Sequence, residues 1–148
     1  KIGNFTWQFI GGDNSKYQKL ISELDFKKAK IEFINHISQK GLTTYIQQAN
    51  LYVSFSNYET FGIVMIEALA CNTPVISTNT GILPELKNEG HFKIINIKNE
   101  EELYNSILDF KEKPINKSKK IHTFIANNFG QLAIANQFSS LYFKSLKN

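Results

Sequence analysis

The sequence predicts an α/β fold, a Rossmann-like three-layer domain built on a parallel sheet, and three observations predict it. Residues 51–85 read strand, turn, helix, strand in quick succession, the βαβ unit whose crossover makes its two strands parallel. Other strand-length apolar runs alternate with stretches of helical periodicity along the rest of the chain. Finally, 148 residues with 42% hydrophobic content suffice for one domain with a proper core.

Taken in order, Phe5-Thr6-Trp7-Gln8-Phe9-Ile10 reads as a strand, closed by the turn signal Gly11-Gly12-Asp13-Asn14. Residues 16–24 place Tyr17, Leu20, Ile21 and Leu24 at i, i+3, i+4, i+7, one face of an amphipathic helix. Residues 31–34 form a second strand, followed by the loop Asn35-His36-Ile37-Ser38. Residues 43–49 form a short helix with Tyr45, Ile46 and Ala49 inward. Residues 51–55 are the next strand, and Ser56-Asn57-Tyr58-Glu59-Thr60 a polar turn.

The helix after that turn is apolar nearly all round, with Phe61, Ile63, Val64, Ile66, Ala68, Leu69 and Ala70, and so reads as buried. Asn72 stops it, residues 73–77 start a strand, and residues 78–83 make a polar loop at that strand's carboxyl end. Pro84 suits the first position of a short helix. Residues 92–97 are the last strand. Asn99 followed by Glu100, Glu101 and Glu102 is an N-cap with an acidic first turn, and Leu103, Ile107, Leu108 and Phe110 give that helix an apolar face that Pro114 ends. Two helices follow, broken near Asn128-Phe129-Gly130, with Ile121, Phe124, Ile125, Leu132, Ala135, Phe138, Leu141 and Tyr142 as buried faces.

Two carboxylates in the central unit are out of place for mere packing, because buried carboxylates are rare unless paired or hydrogen-bonded. Glu59 stands where the helix begins, and Glu67 lies inside it between Ile66 and Ala68. Eight positions apart, they would stand roughly 12 Å apart along a continuous helix. That is too far to share a proton, but one elongated polyhydroxylated ligand touches both. Between them a helix N-terminus offers free N–H groups and a positive dipole end, which suit a phosphate or diphosphate. Gly62 lets a ligand approach the backbone. The plainer alternative is a dipole partner at Glu59 and a solvated helix residue at Glu67.

Glu59-Thr60-Phe61-Gly62-Ile63-Val64-Met65-Ile66-Glu67 resembles the E-x7-E motif of retaining glycosyltransferases with the GT-B fold, particularly family 4. Ser56 stands in register with the family's "S..E.FG" pattern, Glu67-Ala68-Leu69-Ala70-Cys71 is similar to its "EA.AcG", and Thr80-Gly81-Ile82-Leu83-Pro84-Glu85 to its "GG.PE" loop. The resemblance covers most of residues 5–110. It implies that residues 1–148 are a single nucleotide-sugar-binding domain, the C-terminal half of a GT-B enzyme, binding a nucleotide diphosphate sugar.

Residue by residue, it implies that Glu59 is catalytic, contacting hydroxyls of the transferred sugar, and that Glu67 accepts hydrogen bonds from the ribose. Backbone amides at Phe61, Gly62 and Ile63 would hold the diphosphate, and Ser56 belongs to the same motif. Thr80 and Gly81 would line the diphosphate and sugar, with Ile82 where the family has a second Gly. Gly11 falls in the strand-and-turn segment that lines the donor cleft, and Asn35, His36 and Ile37 in the loop that meets the base. No cofactor or required metal is implied. The expected setting is cytoplasmic, at the inner face of the membrane, in cell-surface polysaccharide biosynthesis.

The family's diphosphate-neutralising Arg and Lys lie upstream of the strand matching Phe5–Ile10, as does its first strand, and its N-terminal domain binds the acceptor glycan or lipid. The expectation is that these 148 residues alone do not catalyse transfer. A non-catalytic nucleotide-sugar-binding regulatory or scaffolding module is the competing reading, and an epimerase-like enzyme a third.

Composition narrows the other classes. No run of eighteen apolar residues and no signal-peptide pattern occur. Cys71, the single cysteine, excludes an internal disulfide and favours a reducing compartment. The histidines His36, His91 and His122 are scattered, which suggests no metal site. No P-loop, nucleophile elbow or kinase signature is present. All seventeen basic residues are lysines: residues 1–110 carry ten against twelve Asp and Glu, net −2, and residues 111–148 carry seven against Glu112, net +6. No arginine is available for nucleic-acid readout, and no such partner is expected. The basic segment reads as a solvated face, or as a peripheral contact with anionic membrane.

Overall fold

The computed structural model describes residues 5–12, 15–22, 29–86, 90–115 and 119–146, without the side chains of residues 16, 20 and 119. Asp13, Asn14 and Leu24, and the side chain of Leu20, which the sequence placed in a turn and on a helix face, lie outside the described residues. The chain forms two compact units, Lys1–Tyr45 and Ile46–Asn148.

In the first unit, β1 (Phe5–Ile10) pairs in parallel with β2 (Ala29–Ile34), from Phe5 opposite Ala29 to Ile10 opposite Ile34. α1 (Ser15–Ser22) follows β1, and α2 (Gln39–Gln48), whose last residues from Ile46 on belong to the second unit, follows β2. The Phe9 and Phe33 rings, opposite each other in register, stack with centroids 5.4 Å apart. Such cross-strand aromatic pairs stabilise a two-stranded ribbon. Gly11 leaves β1 with φ 91° and donates its N–H to the Ile34 carbonyl at 2.9 Å. That backbone angle is open to glycine and strained for other residues.

In the second unit a three-stranded parallel sheet runs in the order β3 (Tyr52–Ser54), β4 (Val75–Thr78), β5 (Phe92–Ile95). Ser54 pairs with Ser77, and Thr78 with Ile95. β4 is the middle strand and all four of its residues are buried, as expected of a parallel strand covered on both faces. α3 (Ile63–Ala70) links β3 to β4 and buries Met65, Ile66, Ala68 and Leu69. The sequence reads this helix as buried throughout, but Ile63 is 62% exposed and Phe61 partly so. The first turn therefore opens to solvent while the rest packs.

Asn72 ends α3 with φ 58°, and Thr73 N–H reaches back to the Ala68 carbonyl, the left-handed stop that Asn tolerates. Thr73 Oγ1 donates to the Ile46 carbonyl at 2.7 Å, a bond within the second unit. The Pro84 segment is a single 3-10 turn, Leu83–Glu85. α4 (Glu100–Glu112) packs on β4 and β5 and is capped as expected: Asn99 Oδ1 accepts from Glu102 N–H at 3.0 Å. The Glu102 carboxylate in turn accepts from Asn96 N–H at 2.8 Å.

α5 (Lys119–Phe129) packs on α3 and buries Ile121 and Ile125, whereas Phe124, expected on the buried face, is exposed; His122 Nδ1–H donates to the Ala70 carbonyl at 2.6 Å. α6 (Gln131–Ser145) departs from expectation. Leu132, Ala135, Phe138, Leu141 and Tyr142 are exposed, and no α6 residue is buried. Its main packing partner is α5. Leu141, Tyr142 and Phe143 leave the helix at about 100° steps, so one neighbouring helix covers only a fraction of their directions.

Candidate functional site

Parallel strands bring the loops after their carboxyl ends to one edge, where open α/β sheets place ligands. In the second unit that edge collects the turn after β3, the start of α3 and the loop after β4. Ser56, Glu59, Phe61, Gly62, Ile63, Thr80 and Gly81 all lie in these segments.

Ser56 Oγ donates to Glu59 Oε1 at 2.8 Å and fixes that half-buried carboxylate within its own turn. Gly62 is the N-cap of α3 in the left-handed conformation, φ 80° and ψ 51°. A glycine cap supplies no side-chain acceptor, so no side chain caps the first-turn amides. A Cβ at Gly62 would run into the Met65 methyl group. The backbone angle is what requires glycine there; the Met65 methyl, at the end of a flexible side chain, could shift.

The loop after β4 is sewn to the same turn. Ile82 N–H donates to the Phe61 carbonyl at 2.9 Å, and Gly81, φ 65°, lies so close that a Cβ would stand 2.6 Å from that oxygen. The backbone N–H of Ile82 is therefore committed within the protein. Thr80 is buried, and its hydroxyl lies 3.3 Å from that of Thr78. Phe61 also meets Phe129 of α5 edge-on, ring centroids 6.0 Å apart.

Glu67, half-buried in the middle of α3, does not stand on one straight helix with Glu59, because the helix begins only at Ile63. The charges of both carboxylates act on Tyr52. Burial raises the Tyr52 phenol above its ordinary value, and the charges of Glu59 and then Glu67 push it further the same way. The sequence alone singles out none of Tyr52, Ser54 and Thr78 as a site residue, and it places Thr78 in the loop after the strand that Thr78 in fact ends. The faint signals were Ser54 inside an apolar run and a hydroxyl residue at the end of a buried strand.

In the first unit, Gly11 and the loop Asn35, His36, Ile37 follow β1 and β2 at the carboxyl edge of that pair. Asn35 and His36 are exposed and Ile37 half-buried. A shallow concavity of about 470 Å³ lies elsewhere, along α5, lined by Lys120, Thr123, Phe124, Asn127 and Asn128. It contains no carboxylate. Among the described residues no cluster of three or more His, Cys, Asp or Glu is placed to hold a metal ion, and no helix is long and apolar enough to cross a membrane.

A sequence model of the family "Glycosyl transferases group 1" matches residues 2–128. A probable sucrose-phosphate synthase of Thermosipho melanesiensis is 40% identical over 70 residues, 45% of this chain and 16% of that protein. Among solved structures, sucrose-phosphate synthase from Thermosynechococcus elongatus superposes with a TM-score of 0.79 at 26% identity, over 95% of this chain and 38% of its own. Anabaena HepE, solved with UDP and glucose, superposes with a TM-score of 0.74 at 18% identity, over 93% of this chain and 40% of its own, a likeness of fold. The chain thus spans well under half the length of these proteins.

Proposed function

The chain belongs to the glycosyl transferases group 1 family, and on that premise we propose that it holds the donor of a retaining transferase. The whole protein would move a sugar from a nucleotide diphosphate sugar to a hydroxyl of an acceptor glycan or lipid, keeping the anomeric configuration. The observation that carries this reading is the junction at Gly62: a helix N-terminus with no side-chain cap, preceded by the fixed Glu59 carboxylate and followed by Glu67.

The chemistry follows from these groups. Amides of Phe61, Gly62 and Ile63, with the helix dipole behind them, receive the diphosphate and stabilise the charge that grows on it as the sugar leaves. No metal ion is assigned to that task. A carboxylate accepts two diol hydrogen bonds at once. Glu67 takes this role toward the ribose and Glu59 toward the sugar, where its contact matters most as the bond to the diphosphate breaks. Asn35, His36 and Ile37 are proposed for the base, on the family resemblance. The net +6 of residues 111–148 supports contact with an anionic membrane surface at the cytoplasmic side.

The test is a kinetic split in the full-length polypeptide that carries these residues. Glu59→Ala loses turnover and keeps nucleotide affinity, whereas Glu67→Ala weakens nucleotide affinity first. A full-length protein that binds nucleotide sugars and transfers nothing would be the regulatory module instead.

A further inference from the structure

We propose that Thr78 is a positioning residue for Glu59, acting through the turn that carries it; the inference rests on the donor-site reading above. Thr78 ends β4 and is 1% exposed. Its Oγ1 donates to the Ser56 carbonyl at 2.6 Å, across 22 positions of sequence. Ser56 Oγ then donates to Glu59 Oε1 at 2.8 Å.

Each hydroxyl has one proton, and counting them fixes the direction of the whole chain. A carbonyl oxygen cannot donate, so the Thr78 proton is spent on Ser56. The 3.3 Å contact between Thr78 and Thr80 is therefore donated by Thr80. The Ser56 proton is spent on the Glu59 carboxylate, so the 3.5 Å contact between Ser54 and Ser56 is donated by Ser54. That last contact is long for an O–H···O bond. The restraint rests on the two short links, both of which run toward the turn of Glu59.

The far end of the same turn is held from the same side. Ile82 N–H bonds the Phe61 carbonyl, and Gly81 packs against it. Residues 56–61 contain no helix or strand of their own, yet residues 78–82 clamp both ends, at Ser56 and at Phe61. Glu59 sits between the clamps. A buried hydroxyl costs stability unless it is bonded, and Val would fill the same space. The Thr78 hydroxyl is accounted for by what it holds. Glu67 stands on α3 itself, outside the clamped turn.

Thr78→Val and Thr78→Ser in the full-length polypeptide test this, with turnover and nucleotide affinity measured separately. Loosening a group that contacts the transferred sugar lowers kcat by on the order of tenfold to a hundredfold, while nucleotide affinity stays within about threefold. Thr78→Ser, which keeps the hydroxyl, restores kcat. Wild-type kcat in Thr78→Val overturns the proposal, as does a Thr78→Ser variant as impaired as Thr78→Val. If Thr78→Val does not fold, Ser56→Ala cuts the second link, and the same kcat loss with nucleotide affinity kept is required of it. A wild-type protein that uses no nucleotide sugar overturns the donor-site reading and this one together. A wild type that turns over beside an unimpaired Thr78→Val overturns this one alone.

Discussion

Gly81 lies against the carbonyl oxygen of Phe61, so close that a Cβ at position 81 would stand 2.6 Å from it. The contact joins the loop after β4 to the start of α3, and the Ile82 N–H bond to the same oxygen completes the joint. Gly81 also has φ 65°, a conformation that costs a non-glycine residue about 1 kcal/mol or more. Gly81→Ala is expected to lose roughly 1–3 kcal/mol of stability and to weaken nucleotide binding, because the joint shifts the first-turn amides. Urea unfolding and a nucleotide titration check the two effects.

Met65 is the side chain on which the site rests. It is 1% exposed, its sulfur lies 3.0 Å from Ser77 Oγ, and its methyl group fills the space beneath Gly62 and Gly81. Met65→Ala should cost about 2–5 kcal/mol, and the volume-conserving Met65→Leu less than about 1.5. Equal midpoints for the two variants in urea would show that the packing is not what matters.

Tyr52 makes the carboxylates readable by pH. Its phenol is raised by burial first, then by Glu59 and Glu67. A folded-state value above the unfolded one means that the native state holds the proton longer. That contribution to stability is fully present below the ordinary tyrosine value of 10.0 and is lost as pH rises through the folded value. Tyr52→Phe should therefore remove part of the alkaline loss of stability above about pH 10. In the ultraviolet difference titration between wild type and Tyr52→Phe, Glu67→Gln should move the Tyr52 transition to lower pH.

The α4 cap gives a prediction remote from the site. Asn99 Oδ1 accepts from Glu102 N–H while the Glu102 carboxylate ties back to Asn96. Asn99→Ala should cost about 0.5–2 kcal/mol and leave nucleotide affinity unchanged. Thermal unfolding and the same titration check it.

The parts of the fold that were legible were those decided locally. Strand-length apolar runs, the Asn99 cap and the Asn72 stop each carry their reason within a few residues, and the structure has all of them where expected. Element ends shifted: Tyr52–Ser54 and Phe92–Ile95 are shorter than their apolar runs, because pairing in the sheet sets strand length. The faces of α6 were not legible, since apolar periodicity says that a residue seeks cover and not whether a neighbour supplies it. At the candidate site, Glu59, Gly62 and Glu67 are marked out by their spacing together with the family resemblance. Thr78 and Tyr52 are not, because hydroxyl direction and the convergence of two charges on one phenol exist only once distant segments meet.

The most direct measurement is a thermal-shift series with UDP, GDP and ADP and their glucose conjugates, on the full-length polypeptide that carries this chain and on its Glu67→Ala variant. A ligand at about a hundred times its dissociation constant stabilises the native state by roughly 2.7 kcal/mol, which a melting curve resolves. The proposed donor site predicts a shift with one nucleotide that is lost in Glu67→Ala. No shift with any of them, or an equal shift in wild type and variant, would contradict it.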